Sequence, residues 1–139
     1  MSFRSLLPVT LLALSACAGP VDTVVKFHRA LVYRDGKAAL GLLSEATRAE
    51  LAKRAAAARE VSAGVIAADP AEMIVQGDLS IYPDPGPTGA QAVSAKLVSE
   101  QQDRAEVEVT IGEERHRVAL VRESGGWRLE LPLSGQPAP

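Results

Sequence analysis

The sequence predicts an α+β fold in which N-terminal helices pack on a C-terminal antiparallel, curved sheet. Three observations carry this. Apolar residues recur at helical spacing from residue 20 to about residue 76. From Ala90 onward they alternate with polar ones. Pro83, Pro85, Gly86, Pro87 and Gly89 make a stiff loop between the two halves. A run of helices followed by a run of strands is the α+β pattern.

Residues 20–34 make the first helix. Pro20 suits a first helical turn, and Asp22 sits at the positive end of the helix dipole. Val21, Val24, Val25, His28, Leu31 and Val32 form the apolar stripe, with Phe27 at its edge and Lys26 and Arg29 facing away. Asp35-Gly36 signals a turn that ends this helix. Lys37 to Leu43 form a short second helix presenting Leu40 and Leu43. Ser44 caps a third helix running to about Val61, with Thr47 and Glu50 as an alternative capping box. Its run Ala55–Ala58 has high helix propensity and little bulk, which suits a helix lying close against a neighbour. Asp69-Pro70 opens a fourth helix and Gly77 stops it. Leu79 to Tyr82 read as a brief extended segment.

In the second half, Val93, Ala95 and Leu97 alternate with Ser94, Lys96 and Val98. Ala105, Val107, Val109 and Ile111 alternate with Arg104, Glu106, Glu108 and Thr110, the clearest strand in the chain. Arg115 to Arg122 is the next strand, with Val118 and Leu120 on one face. Ser124-Gly125-Gly126 is a hairpin signal. Trp127, Leu129 and Leu131 share a face of the last strand, Pro132 ends it, and residues 133–139 read as a flexible tail.

Ahead of this domain stands a leader. Arg4 makes a positive start, and Leu6 to Leu14 is an apolar run about half the length of a membrane span. Pro8 within it disfavours a continuous helical anchor. The run closes on Leu14-Ser15-Ala16-Cys17, which holds the single cysteine of the chain. These residues resemble the lipobox of bacterial lipoproteins. The resemblance implies cleavage before Cys17, diacylglycerol on its sulfur and an acyl group on the new amine. Residues 1–16 are then the signal peptide, and residues 17–19 the lipidated N-terminus and a short tether. Partnership with a membrane follows through the anchor. The residue after Cys17 is Ala18. In that family an aspartate there commonly retains the protein in the inner membrane, so the implied destination is the outer membrane, facing the periplasm.

Composition limits what the domain does. Removing residues 1–16 leaves 123 of 139, enough for one core without disulfides or metal. Fifteen Lys+Arg against 17 Asp+Glu give a net charge of -2. Loss of Arg4 with the leader makes the mature domain slightly more acidic, and a basic footprint for nucleic acid is missing. Beyond the leader the aromatics are Phe27, Tyr33, Tyr82 and Trp127, too scattered for a stacking platform. A lone cysteine excludes an internal disulfide and a cysteine-based zinc site.

A second resemblance covers residues 20–132. The first helix from Pro20 to Arg34-Asp35-Gly36, the short second helix with its alanines and leucines, and the closing strand Gly125-Gly126-Trp127-Arg128-Leu129 are similar to NTF2-like (cystatin-like) domains. The resemblance implies a sheet wrapped round helices as a cone with a pocket. Enzymes of that fold set ionisable groups inside the cone. Here the inward positions are Val107, Val109, Ile111, Val118, Leu120, Trp127, Leu129 and Leu131, none of which transfers a proton. The expectation is therefore a non-catalytic domain without cofactor, acting in binding or a structural role. A homodimer or an envelope protein partner would use the sheet face.

The alternative is an isomerase or hydrolase in which His28 or His116 works as a base, oriented by a carboxylate such as Asp78. Against it, His28 lies on an apolar stripe and reads as a packed residue. His116 shares alternation parity with Val118 and Leu120, but between Arg115 and Arg117 it reads as a position on the sheet surface. No histidine and carboxylate stand at metal-ligand spacing. A phosphate-binding loop and a nucleophile elbow are missing too. Tyr82, beside the proline-rich loop, reads as capping the core edge.

Overall fold

The computed structural model of the chain describes residues 18–65, 68–76 and 93–133. Four helices precede four strands: α1 (Pro20–Val32), α2 (Gly36–Gly41), α3 (Glu45–Val61), α4 (Pro70–Val75), β1 (Val93–Gln101), β2 (Arg104–Ile111), β3 (Glu114–Glu123) and β4 (Gly126–Glu130). The strands form one open antiparallel sheet in the order β1-β2-β3-β4. Helices on one face of an antiparallel meander make this an α+β fold. Leu79 to Tyr82 and the proline-rich loop lie outside the described residues.

Helix boundaries follow local chemistry. Ser44 caps α3: its hydroxyl accepts from the Thr47 amide at 3.2 Å. The Glu123 carboxylate accepts from the next exposed amide, that of Glu45, at 2.9 Å. Asp69 caps α4 by accepting from the Ala71 amide at 2.8 Å, with Pro70 in the first turn. Both caps satisfy amides that a helix start leaves unpaired. α4 stops at Val75, short of Gly77.

The end of α1 differs from the expectation. Arg34, not Gly36, takes the left-handed conformation, with φ 54°. The Asp35 amide then donates to the Ala30 carbonyl at 2.8 Å, and the Arg34 amide to the Leu31 carbonyl at 3.0 Å. This is the doubly bonded helix stop that glycine usually serves. Asp35 is thereby released to cap α2, accepting from the Ala38 amide at 3.0 Å. Gly36 becomes the first residue of α2.

The apolar face of α1 is also rotated. Pro20, Thr23, Val24, Phe27, His28 and Ala30 are buried, while Val21 and Leu31 are only partly so. Phe27, expected at the edge of the stripe, is 1% exposed and central to the core. Bulk decides this: the helix turns until its largest ring is covered. Within α3, Ala55 is buried, Ala58 is half-buried and Ala56 and Ala57 are exposed, so the alanine run meets a neighbour along one side only.

The helix-facing side of the sheet is the core. Ala105, Val107, Val109, Ile111, Val118, Leu120, Trp127 and Leu129 are all buried there, alternating with solvent-facing residues as the pleat requires. Leu133, expected in the tail, is 2% exposed and joins the same core, so the domain runs past Pro132. Residues 134–139 are not among those described.

The two sheet edges are unlike. Along β4, Leu43 forms a parallel bridge with Leu129. The Ser44 amide donates to the Leu129 carbonyl at 2.8 Å, and the Leu129 amide to the Leu42 carbonyl at 2.9 Å. The segment after α2 thus closes that edge. At the other edge, β1 carries a bulge at Val98, between the pairs Leu97–Val107 and Ser99–Glu106. The bulge shifts which residues face the helices. Without it Ser99 would follow Leu97 inward; with it Glu100 stands opposite buried Ala105. Leu97, on the helix-facing side opposite Val107, and Val98 at the bulge are left 39% and 44% exposed.

Candidate functional site

Cys17 and the residues Leu14, Ser15 and Ala16 that carry the lipobox resemblance precede the described residues, and Asp78 also lies outside them. The described chain starts at Ala18, and α1 begins at Pro20. Tyr82 falls outside as well.

His28 is 5% exposed on α1. Desolvation by burial holds its imidazole below the ordinary value of 6.5, so the neutral ring is favoured in the folded domain. A histidine whose folded pKa is depressed takes up its proton more readily in the unfolded chain. Its contribution to stability is therefore full above about pH 6.5 and lost as pH falls towards the folded-state pKa. Urea midpoints are expected to drop between pH 7.5 and pH 5.5, and the His28→Gln variant to show a smaller drop. Equal drops in the two proteins would assign the effect to other groups.

His116 stands on the side that its parity with Val118 and Leu120 gives, and not on the solvated face. It stands opposite Val109, a buried residue, and therefore on the helix-facing side of β3. It occupies the rim there, with its side chain 39% exposed and Nε2 3.3 Å from a carboxylate oxygen of Glu114. Glu114 was not among the candidates. Its spacing of two from His116 puts both on one side of a strand, a signal present in the sequence. Among the described residues no three metal-ligating side chains gather.

A second charged group at the helix-facing side escaped the sequence reading. The Arg122 guanidinium lies over the Trp127 ring, 4.6 Å from its centroid, and 3.6 Å from a Glu100 oxygen. Arg122 and Trp127 are register partners, and the Val98 bulge turns Glu100 towards them. Parity with Leu120 could have flagged Arg122; the bulge has no comparable sequence mark. A cation over an indole contributes about 0.5–1 kcal/mol at such an exposed site. This group closes over the helix-facing end of β3 and β4 beside the bulged edge.

The solvent-facing side of the sheet carries the expected alternating charges. Arg117 reaches Glu106 at 2.9 Å across the neighbouring strands β3 and β2, and Arg104 on β2 reaches over β3 to Glu130 on β4 at 3.2 Å. Exposed pairs of this kind contribute about 0–1 kcal/mol each. Ala119 is small among these long side chains, and two shallow hollows open beside it. One of about 200 Å³ is bordered by Ser99, Gln101, Arg104 and Glu106. The other, of about 500 Å³, is bordered by Arg104, Arg117, Glu130 and Pro132. Both hollows are open and present both signs of charge over apolar floors. The chain matches no known protein family, no curated protein and no solved structure.

Proposed function

We propose that the chain is an envelope lipoprotein, anchored through lipid on Cys17, whose small domain acts without catalysis, in binding or a structural role at the membrane surface. One observation carries it: the lipobox closes at Cys17 and the folded domain opens directly behind it, at Pro20. Two or more acyl chains on that residue hold a protein stably, at about 0.8 kcal/mol per buried methylene. Ala18 in place of aspartate favours the outer membrane, with the domain in the periplasm. The non-catalytic reading is supported by the helix-facing side of the sheet, where Val107, Val109, Leu120 and Leu129 are each 0% exposed. Helices followed by an antiparallel meander also support a domain of the NTF2-like type. The hollows beside Ala119 are the partner surface in this reading, open to an envelope protein or to a second copy of the chain.

Cys17→Ser is expected to abolish incorporation of labelled palmitate in a bacterial host and to leave the precursor unprocessed by the lipoprotein route. Unchanged labelling in this variant would overturn the anchor and, with it, the assigned location.

A further inference from the structure

Only Ala18 and Gly19 separate Cys17 from the first helical residue, Pro20. Consecutive Cα atoms are about 3.8 Å apart, so this stretch reaches no more than about 11 Å. Lipid on Cys17 would hold the first turn of α1 within that distance of the acylated residue. A domain on so short a lead cannot stand off from the bilayer, and part of its surface must meet headgroups.

α1 has a surface of suitable chemistry. Asp22, Lys26, Arg29 and Tyr33 are all exposed and recur at helical intervals. They form one stripe, opposite the buried Val24 and Phe27. Tyr33 is 76% exposed. Among the described residues, Lys26 and Arg29 enter no ion pair, whereas Arg104 and Arg117 on the sheet are each paired with a glutamate. The one carboxylate of the stripe, Asp22, lies in the first turn, at the positive end of the helix dipole. Lysine and arginine are drawn to anionic headgroups, and tyrosine favours the membrane–water boundary. A lipid chain with neighbouring cations is the usual two-signal arrangement for a surface-held protein.

We propose that the stripe Lys26–Arg29–Tyr33 is the membrane-contact face of the domain, with α1 lying along the bilayer that holds Cys17. The two cations meet lipid phosphates and the Tyr33 ring sits at the interface. This inference rests on lipidation of Cys17 as proposed above. It has a consequence for the rest of the molecule. α1 packs on the helix-facing side of the sheet, contacting β1, β2 and β4. With α1 against the bilayer, the opposite side of the sheet, with Arg104, Arg117 and the hollows beside Ala119, points into the compartment.

The test uses the lipidated full chain in vesicles of phosphatidylethanolamine and phosphatidylglycerol that carry a headgroup-nitroxide lipid. Cys17 is the single cysteine and its sulfur is taken by lipid, so an introduced cysteine is the sole reactive thiol. A fluorophore is attached at Asp22→Cys, Tyr33→Cys or Arg115→Cys. α1 is about 20 Å long, so position 33 separates a helix lying down from one standing up. Quenching at position 33 is expected to match that at position 22. It should exceed that at position 115, on the solvent-facing side of β3, by about fivefold. Adding K26E and R29E to the Tyr33→Cys protein should lower quenching at position 33 while palmitate remains on Cys17. Quenching at position 33 no greater than at position 115, with palmitate present, would overturn the contact face alone. Insensitivity to K26E and R29E would overturn the role of the cations. Absence of palmitate from Cys17 would instead overturn the lipoprotein reading, and this inference with it.

Discussion

Gly36→Ala is expected to destabilise the domain by about 3 kcal/mol, although alanine is the better helix former. Gly36 opens α2 and is buried. Its backbone is not left-handed, so conformational freedom is not the reason for glycine. The reason is α4. A Cβ at position 36 would fall on the carbonyl of Ala71, 2.7 Å from its carbon and 3.3 Å from its Cα. These are backbone atoms, and the Asp69 cap with Pro70 behind it fixes the turn to which they belong. A flexible side chain could swing aside; this carbonyl moves only if α4 moves away from α2. The urea midpoint, followed by Trp127 fluorescence, should fall without a change in slope. A variant as stable as the parent would mean that α2 and α4 pack less closely than described.

Trp127→Ala should cost about 3–5 kcal/mol, the range for removing a large buried ring. The ring is 4% exposed and shares the core with Leu120 and Leu129. Three losses combine: apolar contact, the cavity left behind and the stack of Arg122. Arg122 would keep Glu100, but with side chains 51% and 40% exposed that pair contributes little. Arg122→Ala should therefore cost far less, about 1 kcal/mol, mostly through the uncovered ring. Trp127 is the single tryptophan, so unfolding is followed by circular dichroism. Equal losses for the two variants would show that the ring is held by Arg122 and not by the helices.

Much of the fold was legible because its signals are local. Ser44 and Asp69-Pro70 set the starts of α3 and α4 through hydrogen bonds within three residues, and the chain shows them in order. The alternation from Arg104 to Ile111 specifies a strand with one buried face whatever packs on it. The charges of that strand and the last one pair across the sheet as their parity predicts.

Other features depend on partners distant in sequence. Phe27 leads the buried face of α1 because the sheet covers it, which no spacing within the helix reveals. The identity of residue 36 is set by a carbonyl of residue 71. Leu133 belongs to the core because the chain turns inward after Pro132. Most consequential is the Val98 bulge, which exchanges Ser99 for Glu100 on the helix-facing side and so builds the group with Arg122 and Trp127. For His116 two local signals conflict, the flanking arginines and the parity with Val118 and Leu120, and the register with Val109 follows the parity.

The sequence sufficed for the order of elements, the caps that start α3 and α4 and the apolar side of β2. Each rests on chemistry between residues close along the chain. Only the packed molecule settled the rotation of α1, the closed edge at β4 and the bulged edge at β1. Each depends on which distant surface is available to be buried, and burial is settled only when the sheet and helices meet. The same division holds for the proposals made above: lipid on Cys17 is read from the sequence alone, whereas the outward stripe of Lys26, Arg29 and Tyr33 follows from how α1 packs.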